Sequence, residues 1–87
     1  MAKVFIPTQL RRLTGGTDRI AARGSTVGDL IDDIERAHPG FRAAVLDRGD
    51  LSTSLAVSVD GAITSGGLLE PVLPESEVHF VPALGGG

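Results

Sequence analysis

The stretch GSTVGDLIDDIERAHPG, residues 24–40, constrains the fold more than any other. Val27, Leu30, Ile31, Ile34 and Ala37 fall at i, i+3, i+4, i+7 and i+10, one apolar stripe with a 3.6-residue period, while Asp29, Asp32, Asp33 and Arg36 take the opposite face. A helix with a single apolar stripe must cover a partner layer. Ser25 or Thr26 can cap its start, Asp29 sits three residues after Thr26 in a capping-box position, and Pro39-Gly40 ends it. FRAAVLD at 41–47 offers at most a short second turn or helix, and RGDLSTS after it reads as loop.

The partner layer is legible as short β segments on either side. KVFIP at 3–7 is apolar and β-branched and stops at Pro7, which cannot donate to a ladder. Gly15-Gly16 then signals a hairpin turn before DRIAAR at 18–23 returns as a second strand. LAVSVDG at 55–61 alternates Leu55, Val57 and Val59 against Ala56, Ser58 and Asp60, with Asp60-Gly61 as its turn. The segment from Ala62 to Glu77 is rich in turn residues, and VHFVP at 78–82 is the last strand. Strand, strand, helix, strand, strand predicts an α+β roll of the β-grasp, ubiquitin-like kind: a mixed sheet of four to five strands with one main helix on one face, its first and last strands parallel in the middle. Strict alternation then places Val4, Ile6, Val57, Val59, Val78 and Phe80 inward. Phe5, His79 and Val81 face outward near Pro82 and Leu84, with Phe5 beside Val81 in a small apolar patch of the kind that marks a partner site.

With 87 residues the chain is one domain, expected to bury about 60–65% of its unfolded surface. It has no cysteine, which removes disulfides, thiolate metal sites and a cysteine nucleophile. The net charge is −3, and the eight cationic side chains, seven arginines and Lys3, are dispersed. With three phenylalanines as the whole aromatic complement, neither a basic patch nor a stacking platform for nucleic acid is expected. No apolar run approaches the roughly 20 residues of a membrane span and the first residues lack a signal-peptide pattern, so the expected location is cytoplasmic.

Several residues invite catalytic readings that the pattern does not support. Asp29, Asp32, Asp33 and Glu35 read as a solvated helix face rather than a metal site. Gly66-Gly67 lacks the Gly-Lys-Ser/Thr of a phosphate loop, and the serines of SLAVSVD, residues 54–60, have no identifiable partner base. His79 reads as a surface or interface residue and His38 as favouring the helix C-terminus. No active site belonging to the chain itself is expected.

What remains is the end of the sequence, VPALGGG. Glycine loses the most conformational freedom on ordering, so the division expected is a body at 1–82 and a flexible tail at 83–87. ESEVHFVPALGGG resembles the C-terminal pattern of the ubiquitin-like sulfur carriers, the ThiS/MoaD family: an acidic turn, an apolar strand, a proline, two small or apolar residues and a final Gly-Gly. VFIPTQLRRLTGG is similar to the CysO branch of that family. Gly85 departs from the alanine or other small residue common before the final pair.

The resemblance implies a protein cosubstrate rather than an enzyme. A ubiquitin-activating-type enzyme would adenylate the Gly87 carboxylate with ATP, and sulfur would displace AMP to leave a thiocarboxylate for an acceptor enzyme. The acceptor implied is a cysteine synthase that uses O-phosphoserine and pyridoxal phosphate, with a metalloprotease releasing the product, or a thiolating enzyme of specialised metabolism. These cofactors would belong to the partners. Gly86 and Gly87 are the reactive pair, and Phe5, His79, Val81, Pro82, Ala83, Leu84 and Gly85 the expected partner contacts. Residues 83–87 reach roughly 17 Å when extended, enough to cross a pocket wall. Two other roles stay open: a MoaD-like small subunit of molybdopterin synthase, and a ubiquitin-like protein modifier.

Overall fold

The computed structural model describes residues 1–83. Seven strands and two helices follow in the order β1 (Ala2–Phe5), β2 (Arg19–Ala22), α1 (Val27–Ala37), α2 (Phe41–Val45), β3 (Leu46–Asp47), β4 (Asp50–Leu51), β5 (Leu55–Val59), β6 (Ala62–Ile63) and β7 (Glu77–Pro82). The main sheet runs β2-β1-β7-β5-β6. β1 and β7 are parallel, with Val4 opposite Val78, and the other pairs are antiparallel. A crossover containing α1 separates the two parallel strands in sequence, as a parallel pair requires. The α+β roll expected from the order of elements is the one observed.

Alternation along the strands sets the core. Val4, Ile6, Val57, Val78 and Phe80 are buried, Val59 is half-buried, and α1 lays Val27, Leu30, Ile31 and Ile34 over them. Ala37, at the end of the predicted stripe, is exposed. Phe41 of α2 meets Phe80 edge-on with ring centroids 6.0 Å apart, which locks the short helix to the central strand. Thr26 caps α1 by accepting from the Asp29 N–H at 3.2 Å, and the Asp29 carboxylate accepts from the Ser25 N–H at 3.1 Å. The Ser25 backbone and hydroxyl hydrogen bonds, with Thr26 adding less, hold the Asp29 carboxyl below its usual range.

Three local readings change. The link between β1 and β2 is no tight hairpin but a seven-residue 3-10 segment, Thr8–Thr14, that ends at Gly15 with φ 65°. Leu10 and Leu13 recur at the three-residue period of that helix and turn inward, Leu10 buried and Leu13 packed on the core. RGDLSTS contains a hairpin, β3–β4, turned by Arg48 and Gly49 with φ 55° and 85°; arginine at the first left-handed position hid it. Asp60-Gly61 turns directly into β6, Val59 pairing with Ala62, so the turn-rich segment begins with a strand.

Candidate functional site

β1 and β7 lie side by side and in register, which puts Phe5 opposite His79 on the face away from α1. The rings stack face to face, centroids 4.2 Å apart and 3° from parallel. The Arg19 guanidinium stands 5.8 Å from the Phe5 centroid, a cation over the outer ring. Glu77, two residues before His79 on the same face, brings a carboxylate oxygen to 4.0 Å from His79 Nε2. Phe5 thus stacks on His79, a contact the sequence did not announce, and shares the face with Val81, which lines the same groove. Parallel register sets Phe5 level with residue 79, and Val81 lies two residues further on, opposite Ala56 of β5.

A groove of about 410 Å³ opens beside the stack. Phe5, His79, Val81 and Pro82 form one wall, and Pro7, Thr8, Gln9, Arg11 and Asp18 from the β1–β2 connection form the other. The 3-10 segment creates this second wall. Its position is fixed from below by Arg11, whose Nε donates to the Ile6 carbonyl at 3.0 Å, and by Thr14, whose hydroxyl lies 2.8 Å from the Thr17 carbonyl oxygen. Reading the connection as a simple turn left Arg11, Asp18 and Gln9 out of the site. The signal available in the sequence was the Leu10–Leu13 spacing, which demands that something fold back over the core.

The start of β7 is pinned as firmly. Asp60, with φ 51°, accepts from the Glu77 N–H at 2.9 Å and the Ser76 hydroxyl at 2.8 Å, and its own N–H donates to the Glu77 carbonyl at 2.8 Å. The Glu77 backbone bond, then the Ser76 hydroxyl, lowers the Asp60 carboxyl pKa. At the other end Pro82 is exposed and lines the groove, and the Ala83 N–H donates to the Ser54 carbonyl at 2.9 Å, so the sheet's hydrogen bonding continues one residue past β7. Phe5, His79, Val81, Pro82 and Ala83 are therefore gathered at one pole; Leu84, Gly85, Gly86 and Gly87 lie outside the described residues. Among the described residues no group of three or more His, Cys, Asp or Glu side chains stands close enough to hold a metal ion, and no helix is long and apolar enough to cross a membrane.

Residues 4–87 match the ThiS family. The sulfur carrier protein CysO of Mycobacterium tuberculosis (strain ATCC 25618 / H37Rv) is 34% identical over 89 residues, covering 97% of this chain and 96% of that protein. A chain from the crystal structure of the Amycolatopsis orientalis BexX/CysO complex superposes with a TM-score of 0.91 at 36% identity, over the whole of both chains. Small archaeal modifier protein 1 of Haloferax volcanii superposes with a TM-score of 0.73 at 26% identity, over 99% of this chain and 98% of that one.

Proposed function

The chain belongs to the ThiS family, and on that premise we propose that it is a sulfur carrier of the CysO kind, a protein cosubstrate whose reactive atom sits on Gly87. The observation that carries this reading is full-length similarity to CysO, with the family match running through Gly86-Gly87. The fold gives it physical sense. A carrier must pass a narrow extended backbone into catalytic clefts of other proteins while its body stays outside, and here the central strand β7 ends at Pro82, which lines the groove, five residues before Gly87.

In this reading the Gly87 carboxylate attacks the α-phosphorus of ATP on a ubiquitin-activating-type enzyme, releasing pyrophosphate. A sulfide-level nucleophile then adds to the carbonyl, AMP leaves, and a thiocarboxylate remains. The stacked pair Phe5–His79, Val81 and Pro82 form the grip by which the activating and acceptor enzymes hold the body. ATP and, in a cysteine-synthase-like acceptor, pyridoxal phosphate belong to those partners. The chain supplies no catalytic group of its own. A metalloprotease that frees the product completes the set in the cysteine branch, and a thiolating biosynthetic enzyme is the acceptor in the other.

Intact mass after incubation with the activating enzyme, ATP and sulfide tests the reading. Exchange of one terminal oxygen for sulfur is expected; an unchanged mass while the same enzyme loads another carrier would overturn it. The likeness to a small archaeal modifier protein favours a second reading, conjugation through an isopeptide bond, for which the diagnostic product is a partner lysine bearing the Gly-Gly end of this chain.

A further inference from the structure

Arginine is used differently on the two sides of this fold. On the helical side Arg36 reaches the Asp33 carboxylate at 3.5 Å and Arg42 reaches the Asp32 carboxylate at 3.1 Å. Beside the Phe5–His79 stack, Arg11 and Arg19 have no carboxylate oxygen within ion-pair distance among the described residues, although Asp18 lines the same groove as Arg11. Both are nevertheless held in place. Arg11 is half-buried with its Nε bound to the Ile6 carbonyl at 3.0 Å, and the Arg19 guanidinium rests over the Phe5 ring, 5.8 Å from its centroid. A guanidinium carries five N–H donors in a rigid plane, so each of these keeps most of its donors for a group outside the body.

The surface between the two arginines is apolar. Phe5, Val81 and Pro82 line the groove that Arg11 borders, and Phe5 carries Arg19. Glu77 on the same face is turned toward His79 at 4.0 Å and stands level with Lys3, so its charge is answered locally. The platform therefore sets two fixed, unanswered cations around an apolar strip, on a chain whose net charge is −3. The excess acid lies elsewhere: α1 carries Asp29, Asp32, Asp33 and Glu35 against Arg36 alone. An acidic partner surface is repelled by the helical side and attracted to the platform, so charge orients the encounter before contact is made. Two arginines and a lysine are too few for a nucleic-acid footprint, whereas they suit a protein surface with a few carboxylates around an apolar side chain.

We propose that Arg11 and Arg19 recognise carboxylates on the activating enzyme, flanking an apolar side chain of that enzyme that sits on Phe5 and Val81. This deepens the carrier reading above and rests on it, adding the surface chemistry of the first partner.

Steady-state thiocarboxylation by the ubiquitin-activating-type enzyme of the source organism, with ATP and sulfide, tests the proposal when the carrier is the varied substrate and loading is read by intact mass. Arg19→Gln and Arg11→Gln are each expected to raise KM about fivefold with kcat unchanged, the scale of an exposed charge at an interface. Arg36→Gln changes the net charge by the same amount on the helical side and should leave KM as it is. Raising the salt from about 50 to about 500 mM should raise KM for the wild type and much less for the double variant Arg11→Gln/Arg19→Gln. Arg19 is exposed and its replacement leaves the Arg11–Ile6 bond intact, so Arg19→Gln decides the matter even if Arg11→Gln disturbs the 3-10 segment. A KM for Arg19→Gln equal to that of Arg36→Gln, or a lowered kcat at unchanged KM, overturns the proposal. So does tighter binding of the wild type to a short DNA duplex than to the enzyme, which would give the face to nucleic acid. A wild type that takes up no sulfur removes the carrier reading and this inference with it, whereas normal loading of wild type and arginine variants alike removes the inference alone.

Discussion

Phe5 and His79 illustrate how much a single register can decide. A Phe and a His on adjacent strands become a stacked platform only because β1 and β7 are parallel and level at these two positions. Both rings are half-buried and neither belongs to the hydrophobic core, so their loss should register in binding rather than folding. Phe5→Ala is expected to raise the KM of the activating enzyme for this carrier about tenfold, the scale of a moderate interface anchor, with the thermal midpoint nearly unchanged. Phe41→Ala should do the reverse. Phe41 is fully buried against Phe80, and its truncation is expected to cost about 3–5 kcal/mol in a denaturant titration, a large share of the total for a small domain.

The elements are held at their ends by carboxylates, and this gives the fold a defined acid limit. Asp29 accepts at the N-terminus of α1, Glu35 accepts from the Arg42 and Gly40 N–H groups at 2.7 and 3.1 Å where α1 passes into α2, and Asp60 ties the β5–β6 turn to β7. In each case backbone hydrogen bonds lead the causes that lower the pKa. A carboxyl whose folded pKa lies below its unfolded value stabilises the fold above the unfolded value and loses that contribution as pH falls through the folded one. Stability is therefore expected to hold near pH 7 and to decline below about pH 4, where the unfolded groups begin to bind protons first. In an acid titration followed by circular dichroism, Asp60→Asn should flatten part of that decline, and an unchanged profile would remove Asp60 from the account. Thr26→Ala should cost about 0.5–2 kcal/mol by removing the helix cap.

At the scale of the whole molecule, the proposed carrier role assigns folding to the body and chemistry to the last residues. Deleting Gly86 and Gly87 is expected to leave the thermal midpoint unchanged and to abolish thiocarboxylation, measured by mass. The sequence by itself determined the helix, the inward rows of the central strands and the family, because a 3.6-residue stripe, period-two alternation and the two end motifs are local patterns that survive translation into one dimension. It also determined that the chain would have one lysine and seven arginines. Only the tertiary structure decided that Phe5 stacks on His79, that the β1–β2 connection folds into a groove wall carrying Arg11, and that Lys3 of β1 lies level with the start of β7. The physical reason is the same in all three: pairing register and the path of a long connection are fixed by contacts between residues distant in the chain, and no local propensity encodes them.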